Sequence, residues 1–271
     1  MFAIIPARYS SVRLPGKLLL PIAGKPLILH TLEQAKLAKN VDEVIVATDD
    51  QRIFDIVTQS GNRAVMTSTT HQSGSDRIAE VALDLPEGSI IVNVQGDEPL
   101  ISPNTIDRAV KEIVECGMRN ADSADTRCPD IVTTFEHIES LEELENPNIV
   151  KVVTNEAGRA LYFSRSPMPF PREAALKRNG PQSAIVNEPE LLKNFKKHTG
   201  LYVYRREYLL EFTKMPQTHL EKLEMLEQLR ALENGAYIKV VESAANSIGV
   251  DTAEDLKKVR ALVETSSEFL L

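Results

Sequence analysis

The sequence predicts an α/β protein built on a parallel sheet with helices on both faces. Apolar runs rich in β-branched residues, among them Glu43–Thr48 (EVIVAT) and Ile90–Val94 (IIVNV), alternate with segments of helical periodicity. Within each run the apolar character is continuous rather than alternating, as expected of strands buried on both sides. At 271 residues, with 42% hydrophobic and 26% charged content, the chain is long enough for a sizeable core and has a globular composition.

The elements follow in order. Phe2–Ile5 reads as a first buried strand that stops at Pro6, with no charged-then-apolar leader ahead of it. Pro26–Lys39 is a helix whose stripe is Leu27, Ile28, Leu32, Ala35 and Ala38. Glu43–Thr48 is a strand, Gln51–Ser60 a helix ending at Gly61, and Ala64–Met66 a short strand. A loop leads to a helix over about 76–85, then to the strand Ile90–Val94. Ile131–Thr134, Val150–Thr154 and Ala160–Phe163 suggest strands in a more antiparallel arrangement. Pro167, Pro169 and Pro171 open a stretch expected to be irregular as far as Pro189. A strand at Leu201–Tyr204, a helix at Leu220–Glu233, a strand at Ile238–Val241 and a helix at Ala253–Val263 complete the chain, with a frayed tail from Thr265 to Leu271. The chain reads as one domain carrying a lobe at about 125–215, because no linker bounds that segment.

Composition excludes several classes. No apolar run approaches the ~20 residues needed to span a bilayer. The formal charge of -8 and the lack of a basic stripe beyond the N-terminal loop argue against nucleic acid. Cys116 and Cys128 have neither CxxC nor Cys/His spacing, so reduced thiols in a cytoplasmic setting without structural zinc are the default. The five histidines are scattered, which disfavours a histidine metal site.

Against that acidic background the first loop is positive. Arg8, Arg13, Lys17 and Lys25 precede the first acidic residue, Glu33. Cations in a loop after a buried strand suit a small polyanion, with a triphosphate the natural candidate. Neither GxxxxGK[ST] nor GxGxxG is present, so this is not a P-loop or a dinucleotide fingerprint. Gln95-Gly-Asp-Glu-Pro99 follows the central strand directly, where open parallel sheets bind ligands, and Asp97 there suits a hard cation better than a plain turn. Asp251 is either a helix N-cap or a second carboxylate ligand. Thr252 with Asp255 can form the capping box and free it, but spacing alone does not choose. In HQSGSDR (71–77) the residues alone favour a helix start capped by Ser73 or Ser75 over a nucleobase, ribose or phosphate site. Thr218 and Glu221 form a capping box, Leu220, Leu223, Leu226 and Leu229 a buried seam, and Glu221, Glu224 and Glu227 a solvated face.

Taken together, IIPARYSSVRLPGK, IAGKP, VATDD, HQSGSDR, IVNVQGDEP, ALYFSRSPMPFPR, KHTGLYVYRREYL, LEKLEMLEQLRALENG and GVDTAEDL resemble the 3-deoxy-manno-octulosonate cytidylyltransferases, the CMP-Kdo synthetases. These segments cover nearly the whole chain. Residues 170–195 match least, and Ser75 stands where that family usually has Thr. The resemblance implies a Rossmann-like three-layer nucleotide-diphospho-sugar transferase fold with a smaller mixed lobe that binds sugar and forms a homodimer. It implies transfer from CTP to Kdo with release of pyrophosphate, for lipopolysaccharide biosynthesis, with Mg2+ as cofactor. Arg8, Ser11, Arg13 and Lys17 match the triphosphate loop. His71, Ser73, Gly74, Ser75, Asp76 and Arg77 match the cytidine side, with Gln95 between nucleotide and sugar. Asp97 and Asp251 match the magnesium carboxylates, so the resemblance decides for Asp251 what spacing left open. Arg165, His198, Tyr202 and Glu221 match the positions that hold the sugar acid. Arg13, Lys17, Asp97 and Asp251 are thereby the catalytic candidates. The alternatives are CMP activation of an 8-amino Kdo derivative or a sialic acid, and a non-catalytic nucleotide-binding protein; the latter would be expected to have lost Lys17, Asp97 or Asp251, and all three are present.

Overall fold

The computed structural model of the chain describes residues 1–11, 13–116 and 127–265. By its internal contacts the chain divides into two compact units. The first comprises Met1–Lys111, Leu201–Lys214 and the chain from Ala244 onward; the second comprises Glu112–Gly200 and Met215–Ser243. The boundary differs from the expected lobe: 201–214 belong to the first unit, because their strand pairs with its sheet.

In the first unit, β1 (Phe2–Ala7) leads through a single 3-10 turn (Lys17–Leu19) into a tight hairpin, β2 (Pro21–Ile22) and β3 (Lys25–Pro26). Helix α1 (Leu27–Lys36), β4 (Glu43–Thr48), α2 (Gln51–Gln59), β5 (Arg63–Met66), α3 (Gly74–Leu83) and β6 (Ile90–Asn93) follow. Strand β1 pairs in parallel with β4 on one side and β6 on the other, and β5 lies in parallel outside β4. Successive residues Ala3, Ile4 and Ile5 are all 0% exposed, so both faces of β1 are covered and the sheet is the middle of three layers. Helix α4 (Pro103–Glu115) is an element the sequence reading left out, although its buried Ile106, Ala109, Val110 and Ile113 recur at helical spacing.

The second unit takes up β7 (Ile131–His137), α5 (Leu141–Glu145), and the antiparallel pair β8 (Lys151–Thr154) and β9 (Ala160–Ser164). The stretch expected to be irregular instead forms α6 (Arg172–Lys177), α7 (Pro181–Asn187) and a 3-10 segment, Pro189–Asn194. These short helices close over a small core of Ile138, Leu144, Ile185 and Phe195. That core, not local periodicity, is what orders the proline-rich segment.

Strand β10 (Lys196–Arg205) pairs through Lys197 with Lys151 of β8. Its later residues Tyr202–Arg205 run antiparallel to β6, and α8 (Arg206–Phe212) follows. The helix expected over 220–233 is two, α9 (His219–Glu224) and α10 (Glu227–Glu233). Met225 between them adopts a left-handed conformation with φ of 55°, which turns the chain and leaves Leu223 70% exposed while Leu226 and Leu229 are buried. Four leucines at helical spacing thus do not form one seam. Strand β11 (Ile238–Glu242) pairs in parallel with β7, and α11 (Ala253–Thr265) closes the described chain. The expected fraying beyond Thr265 lies outside the described residues. Among the described residues no helix is long and apolar enough to cross a membrane.

Cys116 and Cys128 form a disulfide, with Cα atoms 5.4 Å apart. The expectation of reduced thiols is corrected by proximity in space that a 12-residue separation does not reveal.

Candidate active site

The cationic loop folds back on itself where β1 ends. Gly16 N donates to Tyr9 O at 3.1 Å, and Gly16 sits at φ 66°. A Cβ there would lie 3.1 Å from the Tyr9 ring, so both backbone angle and space call for glycine. The Arg52 guanidinium lies over that ring, 3.4 Å from its centroid. The turn that follows buries Lys17, which is 9% exposed. Lys25 is separate from this group: it pairs with Glu33 at 2.6 Å on the hairpin and α1.

After β6, the Gln95–Glu98 turn crosses the end of β1. Gly96 O accepts from Thr31 Oγ1 at 3.0 Å, and Asp97 O accepts from Val250 N at 2.8 Å. The latter bond brings Asp251 to Asp97. Lys17 Nζ donates to Asp97 Oδ2 and, at 2.9 Å, to Asp251 Oδ1, while Arg13 Nη2 lies 2.8 Å from Asp251 Oδ2. Burial works to lower the Lys17 pKa, but the Asp97 and Asp251 carboxylates outweigh it and hold the pKa above that of an ordinary lysine. Asp255 accepts from Thr252 N at 2.8 Å and its own N–H donates to Thr252 Oγ1. The capping box is therefore made without Asp251, whose carboxylate faces Lys17 and Arg13.

The third element is the loop into α3. Ser73 is the N-cap, accepting from Asp76 N at 3.1 Å, and Asp76 Oδ2 accepts in turn from Ser73 N at 3.0 Å. Gly74 begins the helix beside Pro6 of β1, 3.5 Å from where a Cβ would stand. Arg8 Nη2 donates to His71 O at 2.9 Å, tying the cationic loop to this one. His71 Nε2 is paired with Glu80, which also accepts from Ser68 N. Burial pushes the Glu80 carboxyl up, but the His71 and Ser68 hydrogen bonds pull it below its usual range.

Alongside the β6 end, the β10 register sets Tyr202 opposite Asn93, and Gln95 Nε2 reaches Asn93 Oδ1 at 3.3 Å. Within the second unit, Arg165 follows β9 and donates to Glu224 O at 2.7 Å and Pro147 O at 2.8 Å. Lys151, fully buried, donates to Asn146 O at 3.0 Å and Ile149 O at 2.7 Å. Burial, with Arg165 nearby, lowers its pKa. His198 Nε2 lies 2.8 Å from Thr133 Oγ1 with Phe163 edge-on at 5.1 Å, and burial lowers its pKa to about 3.

A family model described as cytidylyltransferase matches residues 2–243. The 3-deoxy-manno-octulosonate cytidylyltransferase of Geobacter sulfurreducens is 51% identical over 95% of this chain and 96% of its own. This chain belongs to the 3-deoxy-manno-octulosonate cytidylyltransferase family. The Geobacter metallireducens member is 50% identical over 98% of both chains. The solved structure of a CMP:2-keto-3-deoxy-manno-octonic acid synthetase complexed with CTP superposes with a TM-score of 0.80 at 40% identity, over 97% of each chain. A structure assigned as a glucose-1-phosphate thymidylyltransferase from Bacillus anthracis, at 14% identity and a TM-score of 0.62, shares the fold.

In this family member, Arg8, Arg13, Lys17, His71, Gly74, Asp97 and Asp251 gather where β1, β6 and the start of α3 end, and Ser11 lies on the same loop. Arg77 is different. It is 0% exposed, pairs with Asp49 at 2.6 Å and donates to Thr67, and so fixes α3 to the ends of β4 and β5. Asp76 and Ser73 likewise hold the helix start, and Ser75 is buried. Glu221 is 3% exposed; its Oε2 serves Arg230 at 3.2 Å and Thr218 N at 3.3 Å, while its Oε1 is buried without a hydrogen-bond partner. Glu221 is thus held against Arg230 and Thr218 and is not on the solvated face that the three-residue spacing suggests. Asp49 and Glu80 escaped the sequence reading. Asp49 lies within the VATDD segment, but nothing local distinguishes Glu80 from a surface helix residue.

Proposed function

We propose that this chain transfers the cytidylyl group of CTP to the anomeric hydroxyl of Kdo, giving CMP-Kdo and pyrophosphate for lipopolysaccharide biosynthesis. The observation that carries this reading is the convergence of Arg13, Lys17, Asp97 and Asp251 at the carboxyl ends of parallel strands, in a member of this family. The hydroxyl oxygen bonds to the α-phosphorus, the bond to the bridging oxygen breaks, pyrophosphate leaves and the hydroxyl proton goes to water. Such transfer needs in-line positioning and charge neutralisation more than covalent catalysis.

Arg8 and Arg13 present guanidinium forks to the phosphates, and the first N–H groups of α3 add anion-binding donors. His71, oriented by Glu80, lies on the cytidine side. By the family resemblance, Gln95, Arg165, His198 and Tyr202 are the proposed sugar-acid contacts. His198 acts as a neutral ring. Mg2+ is the proposed cofactor. The all-oxygen donor set of Asp97 and Asp251 suits it, and these two carboxylates would hold the ion. Bound there, the ion would neutralise phosphate charge and acidify the attacking hydroxyl.

We place the enzyme in the cytoplasm, where CTP is made, as a homodimer through the second unit. Support for the dimer comes from Leu161, Phe170, Leu176, Val186, Leu223 and Met225, large apolar side chains exposed on that unit. The test is pyrophosphate release from CTP with a panel of sugar acids. Sustained turnover with Kdo is expected. Preference for 8-amino-Kdo or a sialic acid overturns the substrate, and release with no acid overturns the reaction.

A further inference from the structure

We propose that Lys17 is the resident cation of the metal position: its ammonium occupies the gap between Asp97 and Asp251 until nucleotide arrives, so the divalent ion enters only together with CTP. This rests on the reading of Asp97 and Asp251 as the metal carboxylates. The Lys17 side chain is 11% exposed and Nζ hydrogen-bonds both carboxylates at once, while Arg13 engages the remaining oxygen contact of Asp251. Two carboxylates held this close repel one another unless a cation lies between them, and here the chain supplies its own.

The ammonium and a divalent ion cannot share that gap. Both need the inner carboxylate oxygens, and cations at contact distance repel strongly at low solvent exposure. A free divalent ion therefore has to expel a buried, doubly hydrogen-bonded lysine. A triphosphate changes this balance, because its oxygens offer Lys17 new anionic partners while bringing the metal in. Lysine fits this exchange better than arginine would: a compact charge on a flexible stem can leave one pair of oxygens for another, whereas a planar fork is tied to one geometry. The same arrangement keeps the carboxylates closed to adventitious cations between turnovers.

The probe is Mn2+ on the full chain without nucleotide, followed by loss of the free-ion EPR signal. Wild type is expected to bind it weakly and Lys17→Met at least roughly 10-fold more tightly. Mn2+ alone should also raise the melting temperature of Lys17→Met but not of wild type. Equal nucleotide-free Mn2+ affinity in the two proteins overturns the exchange. Should Lys17→Met not fold, the Lys17 ammonium resonance of wild type decides by NMR. It should be unmoved by Mg2+ alone and shift with Mg2+ plus CTP; a shift on Mg2+ alone, or none in either case, overturns the proposal. The metal reading is examined separately with CTP present, where Asp97→Asn should lose the protein-bound Mn2+ signal of wild type. If Asp97→Asn retains that signal, the metal assignment itself is wrong and the exchange falls with it. If it loses the signal while Lys17→Met binds like wild type, only the exchange is wrong.

Discussion

Gly96→Ala tests how rigidly the chain holds Asp97. Gly96 is not in the left-handed region, so the question is one of space. An added Cβ would stand 3.0 Å from Pro6 O, 3.3 Å from Ile28 Cδ1 and 3.4 Å from Ile5 Cγ2. Ile28 can adjust its terminal methyl, but Pro6 O belongs to β1, a strand paired on both sides. Relief has to come from Gly96 moving outward, and that strains its bond from Thr31 and the Asp97–Val250 bond beyond it. Overpacking of this kind costs about 1–3 kcal/mol. A loss of that size lowers the melting temperature by roughly 2–4 °C per kcal/mol in a protein of this class. The displacement is passed to Asp97, and site displacements approaching ~1 Å can cost about 100-fold, so kcat/KM should fall between roughly 10- and 100-fold. The assay is circular dichroism melting with steady-state pyrophosphate release. Gly74→Ala is the control for stability, since its Cβ would make an ordinary 3.5 Å contact and its φ is not positive. A Gly96→Ala protein with wild-type melting and turnover would refute the argument that the β1 end fixes the Asp97 turn.

Acid stability should report on His198, whose pKa burial lowers from 6.5 to about 3. Below pH 6.5 the unfolded chain binds a proton that the folded chain refuses, so this stability is complete above 6.5 and lost as pH falls toward 3, at up to about 1.4 kcal/mol per pH unit. His198→Gln should flatten the dependence in urea melts between those limits; an unchanged slope would assign it to another group. Arg77→Leu should cost about 3–5 kcal/mol, because it leaves Asp49 and Thr67 without their buried partner. An increase in the KM for CTP at constant melting temperature would instead make Arg77 a nucleotide contact. Glu221→Gln leaves Arg230 buried beside a neutral group and should lower stability by about 1–3 kcal/mol with the KM for Kdo nearly unchanged. A 10-fold rise in that KM without a stability loss would return Glu221 to the sugar site.

The sheet strands were legible because each buried run is local and continuous. The prediction at Glu43–Thr48 matches the structure residue for residue, and Phe2–Ile5, Ala64–Met66 and Ile90–Val94 differ by a residue or two at their ends. Helix periodicity served less well where tertiary contacts decide. The left-handed turn at Met225 divides a leucine series that reads as one helix, and the proline-rich segment folds because Ile185 and Phe195 find Ile138 and Leu144. Neither partner is near in sequence, so no window of the chain contains the signal.

By itself the sequence determined the α/β class, the family, and the residue types of the candidate site: a cationic loop after the first strand and carboxylates at Asp97 and Asp251. Local patterns sufficed there, since strand burial and loop chemistry are properties of short segments. Only the tertiary structure decided which of those residues come together and which are buried in ion pairs of the frame. Lys17 meets Asp251 across 234 positions, and Arg77 meets Asp49 across 28, through strand pairing and a backbone bond that no spacing encodes. Burying a charge demands a partner at hydrogen-bond distance, and that distance is set by how the strands stack. For that reason Arg77 and Glu221, which the family resemblance matches to ligand positions, are in the folded chain members of buried ion pairs.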